Sequence, residues 1–155
     1  MTAPTLRTCL WFDSQAEEAA RFYVGLLPDS RISAVYPSRG DPKGGAFMVQ
    51  MELMGQSYSL MNGGPHYRLS PAVSIEVHLE TQAEVDTLWD ALVQGGPAMR
   101  CGWLTDRFGL SWQILPRTLM RLMSGPDPEA IGRVMQAMMG MVKLDGPALE
   151  AAARG

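Results

Sequence analysis

A chain of 155 residues is one domain's worth, long enough to bury a core, and no low-complexity linker divides it, so residues 1–155 are expected to form a single domain. Its 13 basic and 16 acidic residues leave a formal charge of -3, which gives no electrostatic reason for a nucleic-acid or anionic-membrane partner and suits a small neutral or mixed ligand. The N-terminal residues lack a basic segment followed by a long apolar core, no run of about 18 apolar residues occurs, and Cys9 and Cys101 lack CxxC spacing; the expectation is a cytoplasmic protein with reduced thiols.

In chain order, residues 8–13 read as a strand, 14–27 as a helix stopped by Pro28-Asp29-Ser30, and 31–36 as a strand, followed by a loop over 38–45. Residues 47–53 alternate cleanly, Met54-Gly55-Gln56 turns, and 57–61 form a fourth strand before the irregular Asn62-Gly63-Gly64-Pro65. Residues 73–79 begin a second series: a helix over 81–93 ended by Gln94-Gly95-Gly96-Pro97, then strands near 99–102 and 111–115. The segment 103–108 reads equally as a third strand or as a hairpin loop. Past Pro116 the tail is helical, with pieces near 119–124, from Asp127-Pro128 to about residue 142, and over 147–153.

The two series are copies. Ser14-Gln15-Ala16-Glu17 recurs as Thr81-Gln82-Ala83-Glu84, 67 residues on, each with the spacing of a capping box. A second echo, at 54 residues, sets Gly55-x-Ser57-Tyr58-x-Leu60 against Gly109-x-Ser111-Trp112-x-Ile114. The duplicated unit also assigns strand faces. Val73, Ile75, Val77 and Leu79 must back onto a helix, so Ser74, Glu76 and His78 point the other way, towards a ligand-binding side. By the 67-residue offset Leu10 and Phe12 back the first helix, while Arg7, Cys9 and Trp11 share the opposite face, Cys9 matching Glu76 and Trp11 matching His78.

On Cys9-Leu10-Trp11-Phe12-Asp13, Phe22-Tyr23, Asn62-Gly63-Gly64-Pro65-His66, Cys101-Gly102-Trp103 and Asp106-Arg107-Phe108-Gly109-Leu110-Ser111-Trp112-Gln113, the chain resembles the vicinal oxygen chelate superfamily of glyoxalase and bleomycin-resistance proteins. Within it the segments resemble the PhnB-like branch, which often carries the label 3-demethylubiquinone 3-methyltransferase. The resemblance implies an α+β fold of two strand-helix-three-strand modules, residues 5–62 and 72–116, whose curved mixed sheets surround a cavity. A C-terminal helical extension, 117–155, follows them. It also implies a homodimer.

Metal-dependent members carry His, Glu or Gln on the first and last strand of each module, and the matching positions here are Thr5, Ser59, Ala72 and Gln113. Three of those four are poor ligands, and a divalent ion needs at least three suitable groups converging, so neither metal nor cofactor is expected. His66, Glu76 and His78 would make a different ligand set only if the Gly/Pro loop brought His66 to the strand. The candidate ligand-binding residues are Trp11, Asn62, His66, Glu76, His78, Trp103 and Gln113.

Each has a plainer reading. The Asn62 to His66 loop offers backbone amides and an imidazole to a ligand, or is a wide turn between modules. Cys101 is a nucleophile only if something lowers its pKa, and otherwise an inert thiol. Trp103 and Trp112 line a pocket or fill a core. Met135, Met138, Met139 and Met141, with Ile131 and Val134, form a stripe that packs on a sheet or a second subunit. A methyl transfer on S-adenosylmethionine would call for a glycine-rich turn between a strand and a helix, and Gly44-Gly45 and Gly63-Gly64 do not stand in that order. Three functions remain: a small-molecule binder, an enzyme with Glu76 or His78 as base on a carbonyl-type substrate, and an inert structural dimer. The base would need burial to raise a carboxylate towards neutrality.

Overall fold

The computed structural model describes residues 4–40 and 45–155, and the chain divides into two compact units, Met1–Leu69 and Ser70–Gly155. The first unit runs β1 (Thr8–Phe12), α1 (Ala16–Leu26), β2 (Arg31–Pro37), β3 (Ala46–Leu53) and β4 (Gln56–Asn62). Its sheet has the order β1-β4-β3-β2, with β1 parallel to β4 and the other pairs antiparallel. Alternation decides the faces: Leu10, Phe12, Val49, Met51, Leu53 and Leu60 are buried on the side that α1 covers with Ala16, Ala19, Ala20 and Tyr23. Part of the expected 38–45 loop, residues 41–44, lies outside the described residues; its ends are joined by Ser38 N–H donating to the Gly45 carbonyl at 2.9 Å.

The first capping box does not form. α1 begins after Gln15 with no side-chain cap of its own, and Glu17 pairs with Arg21 at 2.7 Å. Asn62 takes the place of Ser14: it lies beside Phe12 in the β1–β4 ladder, so its Oδ1 reaches the Ala16 N–H at 2.8 Å. A long-range acceptor thus caps the first turn at the Ala16 N–H, where the local box would have used the Glu17 N–H.

The second unit runs β5 (Ser74–Leu79), α2 (Gln82–Leu92), β6 (Trp103–Thr105), β7 (Ser111–Pro116), α3 (Arg117–Met123), α4 (Pro128–Met139) and α5 (Gly146–Arg154). Its sheet has the order β5-β7-β6, with β5 parallel and β6 antiparallel to β7. The fold is therefore α+β, with a four-stranded and a three-stranded mixed sheet. The expected strand near 99–102 shrinks to a single bridge, Ala98 to Leu104, because Cys101 and Gly102 take left-handed φ values of 60° and 80°. Their N–H groups bond to the Met141 and Val142 carbonyls at 2.9 and 2.8 Å, so the tail accepts the bonds a fourth strand would have accepted.

Here the capping box does close: Glu84 N–H donates to Thr81 Oγ1 at 3.2 Å and Thr81 N–H to Glu84 Oε2 at 2.8 Å. The bonds from the Thr81 backbone, then from its hydroxyl, hold the Glu84 carboxyl below the ordinary carboxylate range. A depressed folded-state pKa contributes stability above the unfolded value and loses it as pH falls through the folded one. Glu84→Gln should therefore melt below the native chain at neutral pH, with the difference closing as a pH series of thermal melts descends through the carboxylate range.

The tail is fastened to α2. Gln82 donates to the Leu144 carbonyl at 3.0 Å and accepts from Gly146 N–H at 2.8 Å, while Lys143 pairs with Asp86 at 2.9 Å. Its apolar centre joins Leu115 to Leu119, Val134, Leu144 and Leu149. The methionine stripe divides: Val134 is buried and Met138 and Met141 pack against this centre, but Met135 and Met139 are 44% and 60% exposed. Among the described residues no helix is long and apolar enough to cross a membrane.

Candidate functional site

On the second sheet the strand alternation leaves one face to α2 and the other open. Val77, Trp112 and Ile114 are buried on the helix side, which makes Trp112 core rather than a lining residue. On the opposite side the ladder aligns Trp103 of β6, Gln113 of β7 and Glu76 of β5 in one row. One step along β5, His78 lies level with Leu115, and one step the other way Ser74, Ser111 and Thr105 form a hydroxyl row.

These side chains are bonded to one another. Gln113 Nε2 donates to Ser74 Oγ at 2.9 Å, and Thr105 and Ser111 hydroxyls share a bond of 3.2 Å. Glu76 Oε1 and His78 Nε2 form a hydrogen-bonded pair two residues apart on β5. Their side chains remain 46% and 31% exposed, so the pair is open to solvent and to ligands. Leu115, level with His78, is buried in the tail's apolar centre, and the polar face ends there. Four expected residues, Glu76, His78, Trp103 and Gln113, are thus gathered on one surface. The Thr105 hydroxyl lies in the 103–108 segment, which has two readings from sequence, while that of Ser111 was signalled by its parity with Gln113 in the strand read over 111–115.

The other three candidates belong to the first unit, around one loop. Trp11 stands on the face of β1 opposite Leu10 and Phe12, as the repeat requires, and its Nε1 donates to the Gly64 carbonyl at 2.9 Å. Gly63 passes directly over the indole: a Cβ there would lie 2.2 Å from the ring. Tyr67 meets Trp11 edge-on with centroids 5.0 Å apart, and His66 meets Tyr67 at 4.9 Å. Asn62 is engaged at both ends of its amide, by Ala16 N–H and, through Nδ2, by the Ala46 carbonyl at 2.9 Å. The Asn-Gly-Gly-Pro-His segment therefore folds as a clasp over Trp11, and Tyr67, which sequence reasoning passed over, is part of it.

Asp106 explains a second motif. Its buried carboxylate accepts from Phe108 N–H at 2.8 Å, Leu110 N–H at 3.1 Å and Trp112 Nε1 at 2.8 Å, so Asp-x-Phe-Gly-x-x-Trp builds the turn that delivers Gln113 to the open face.

The positions that would bear metal in this kind of fold do not fit one. Thr5 and Ala72 are exposed and offer a hydroxyl and a methyl, Ser59 offers a hydroxyl, and Gln113 is bonded to Ser74. His66 lies in the clasp on Tyr67 while Glu76 and His78 pair with each other, and among the described residues no three His, Cys, Asp or Glu side chains converge. Cys9 is an exposed free thiol and Cys101 a half-buried one.

The family described as 3-demethylubiquinone-9 3-methyltransferase matches residues 4–115. Among solved structures, the PhnB protein of Bacillus cereus, with the same methyltransferase description, is 29% identical with a TM-score of 0.67, over 73% of this chain and 99% of that one. A protein of Pseudomonas aeruginosa is 21% identical with a TM-score of 0.62, over 74% and 98%. No curated protein matches. The family match stops one residue before the end of β7, so α3, α4 and α5 lie outside it.

Proposed function

This chain belongs to the 3-demethylubiquinone-9 3-methyltransferase family, the PhnB-like branch of the glyoxalase-fold superfamily, and we propose that it binds a small molecule on the open face of its second sheet without a metal. The observation that carries this reading is the row of Trp103, Gln113 and Glu76 with His78 beside it. The indole supplies a flat apolar wall. The carboxylate–imidazole pair presents an acceptor and a titratable donor side by side, and Gln113, whose Nε2 is taken by Ser74, keeps its carbonyl oxygen for a ligand donor.

Binding is favoured over base catalysis because Glu76 and His78 are 46% and 31% exposed and hydrogen-bonded to each other, an arrangement suited to orienting a ligand. The methyl transfer in the family's description is not part of the proposal. Gly63-Gly64 close over Trp11 and lead into an irregular segment, not into a helix that would hold a nucleoside.

The test is native mass spectrometry of the purified protein, seeking a small-molecule adduct released on denaturation, with elemental analysis alongside. Glu76→Gln and His78→Ala should each weaken retention of that molecule about tenfold or more, the worth of one charged hydrogen bond. Both should shift stability by under ~1 kcal/mol, as befits an exposed pair. Unaltered retention in both variants would reject the site.

The assembly proposed is a homodimer. β1 and β2 end the first sheet and β5 and β6 the second, and strand edges together with the exposed Met135 and Met139 are surfaces that a partner covers. Light scattering should give twice the chain mass of 17.0 kDa at micromolar concentration; a 17.0 kDa species would refute it.

A further inference from the structure

Arg7 holds a buried Nη1 with no hydrogen-bond partner among the described residues. A guanidinium does not shed its proton in a protein, so this N–H group keeps its charge while deprived of both water and acceptor. Such a group is costly to bury, and a native chain that retains one usually meets it with something absent from the chain itself.

Its surroundings in the first sheet say what that is. Arg7 comes one residue before β1, on the side of Cys9 by alternation. Cys9 pairs with Ser59 of β4, and Ser59 with Gln50 of β3, so the neighbouring positions on this face carry uncharged hydrogen-bonding groups. Glu52 is the only acidic residue in the four strands, and it is paired with Arg31 at 2.7 Å. The strands therefore offer Arg7 no carboxylate that is not already paired, and the face offers a ligand a cation with one hydroxyl and one amide on neighbouring strands.

We propose that Arg7 is the anchor of a binding site for a small organic carboxylate on the face of the first sheet that carries Cys9, Ser59 and Gln50. One free cation matches a singly charged acid better than a phosphate dianion, and a guanidinium presents its donors in the plane a carboxylate occupies. All the residues it is argued from belong to the first unit.

The experiment is a titration of the ¹⁵N-labelled full-length protein with benzoate at constant ionic strength, followed by amide NMR shifts. Benzamide serves as the uncharged control and inorganic phosphate as the tetrahedral anion. Benzoate should saturate and move amides of β1 and β4, and benzamide should bind at least tenfold more weakly. Arg7→Met should weaken benzoate at least tenfold without lowering the melting temperature, since it removes an orphaned donor and keeps most of the side chain's bulk. Should Arg7→Met fail to fold, Arg7→Lys decides: it keeps the charge but loses the fork, and should weaken benzoate severalfold.

No saturable benzoate binding, equal binding of benzoate and benzamide, or benzoate affinity unchanged in the Arg7 variants would each overturn the site. Phosphate binding tighter than benzoate would overturn the carboxylate assignment. The benzoate titration reads amides of β1 and β4, whereas the second-sheet test reads retention in Glu76→Gln and His78→Ala, so failure here is separable from failure of the second-sheet reading.

Discussion

Asp106→Ala should destabilise the protein by about 3–5 kcal/mol, the range for breaking a buried charged network. One carboxylate satisfies three donors, the Phe108 and Leu110 N–H groups and the Trp112 indole N–H, in a setting where Asp106 and Trp112 are buried. Alanine removes the acceptor that all three share. The turn between β6 and β7 then loses its organiser, and with it the register that brings Gln113 opposite Trp103. Chemical denaturation of the variant checks the magnitude. A loss below about 1 kcal/mol would mean that water or a neighbouring group replaces the carboxylate at little cost.

Gly63→Ala is expected to cost about 2–4 kcal/mol, combining overpacking with disruption of the part-buried Trp11–Gly64 hydrogen bond. The added methyl would sit 2.2 Å from the Trp11 ring, and that ring cannot yield freely. It is tied by Nε1 to the Gly64 carbonyl and wedged against Tyr67. Denaturation midpoint and indole fluorescence should change together, because the strain falls on Trp11 itself. A variant of native stability with native emission would show that the loop can lift away from the indole.

Much of the site was legible because a strand's period is two. Val77 facing its helix forces Glu76 and His78 outwards, and this parity needs no coordinates. The capping box at Thr81 was equally local and formed as spelled. The box at Ser14 was spelled the same way and did not form; the helix starts one residue later, and its first turn is capped at the Ala16 N–H by Asn62, from a strand 46 residues further along the chain. No local rule weighs such a competitor. The strand near 99–102 failed for a related reason, with the tail's Met141 and Val142 carbonyls capturing the N–H groups of the Cys101-Gly102 turn. Asp106 and Arg7 mark the other limit of sequence reading: the carboxylate of one is used by three donors, the Nη1 of the other meets no acceptor among the described residues, and composition cannot tell the two apart.

The central claim, that the open face of the second sheet binds a small molecule, is tested most directly by a fragment screen on the ¹⁵N-labelled protein. The expected result is a set of fragments whose shifts gather on β5, β6 and β7 around Glu76, His78, Trp103 and Gln113, and are lost in the Glu76→Gln, His78→Ala double variant. Hits that gather elsewhere on the protein, or that persist unchanged in the double variant, would contradict it.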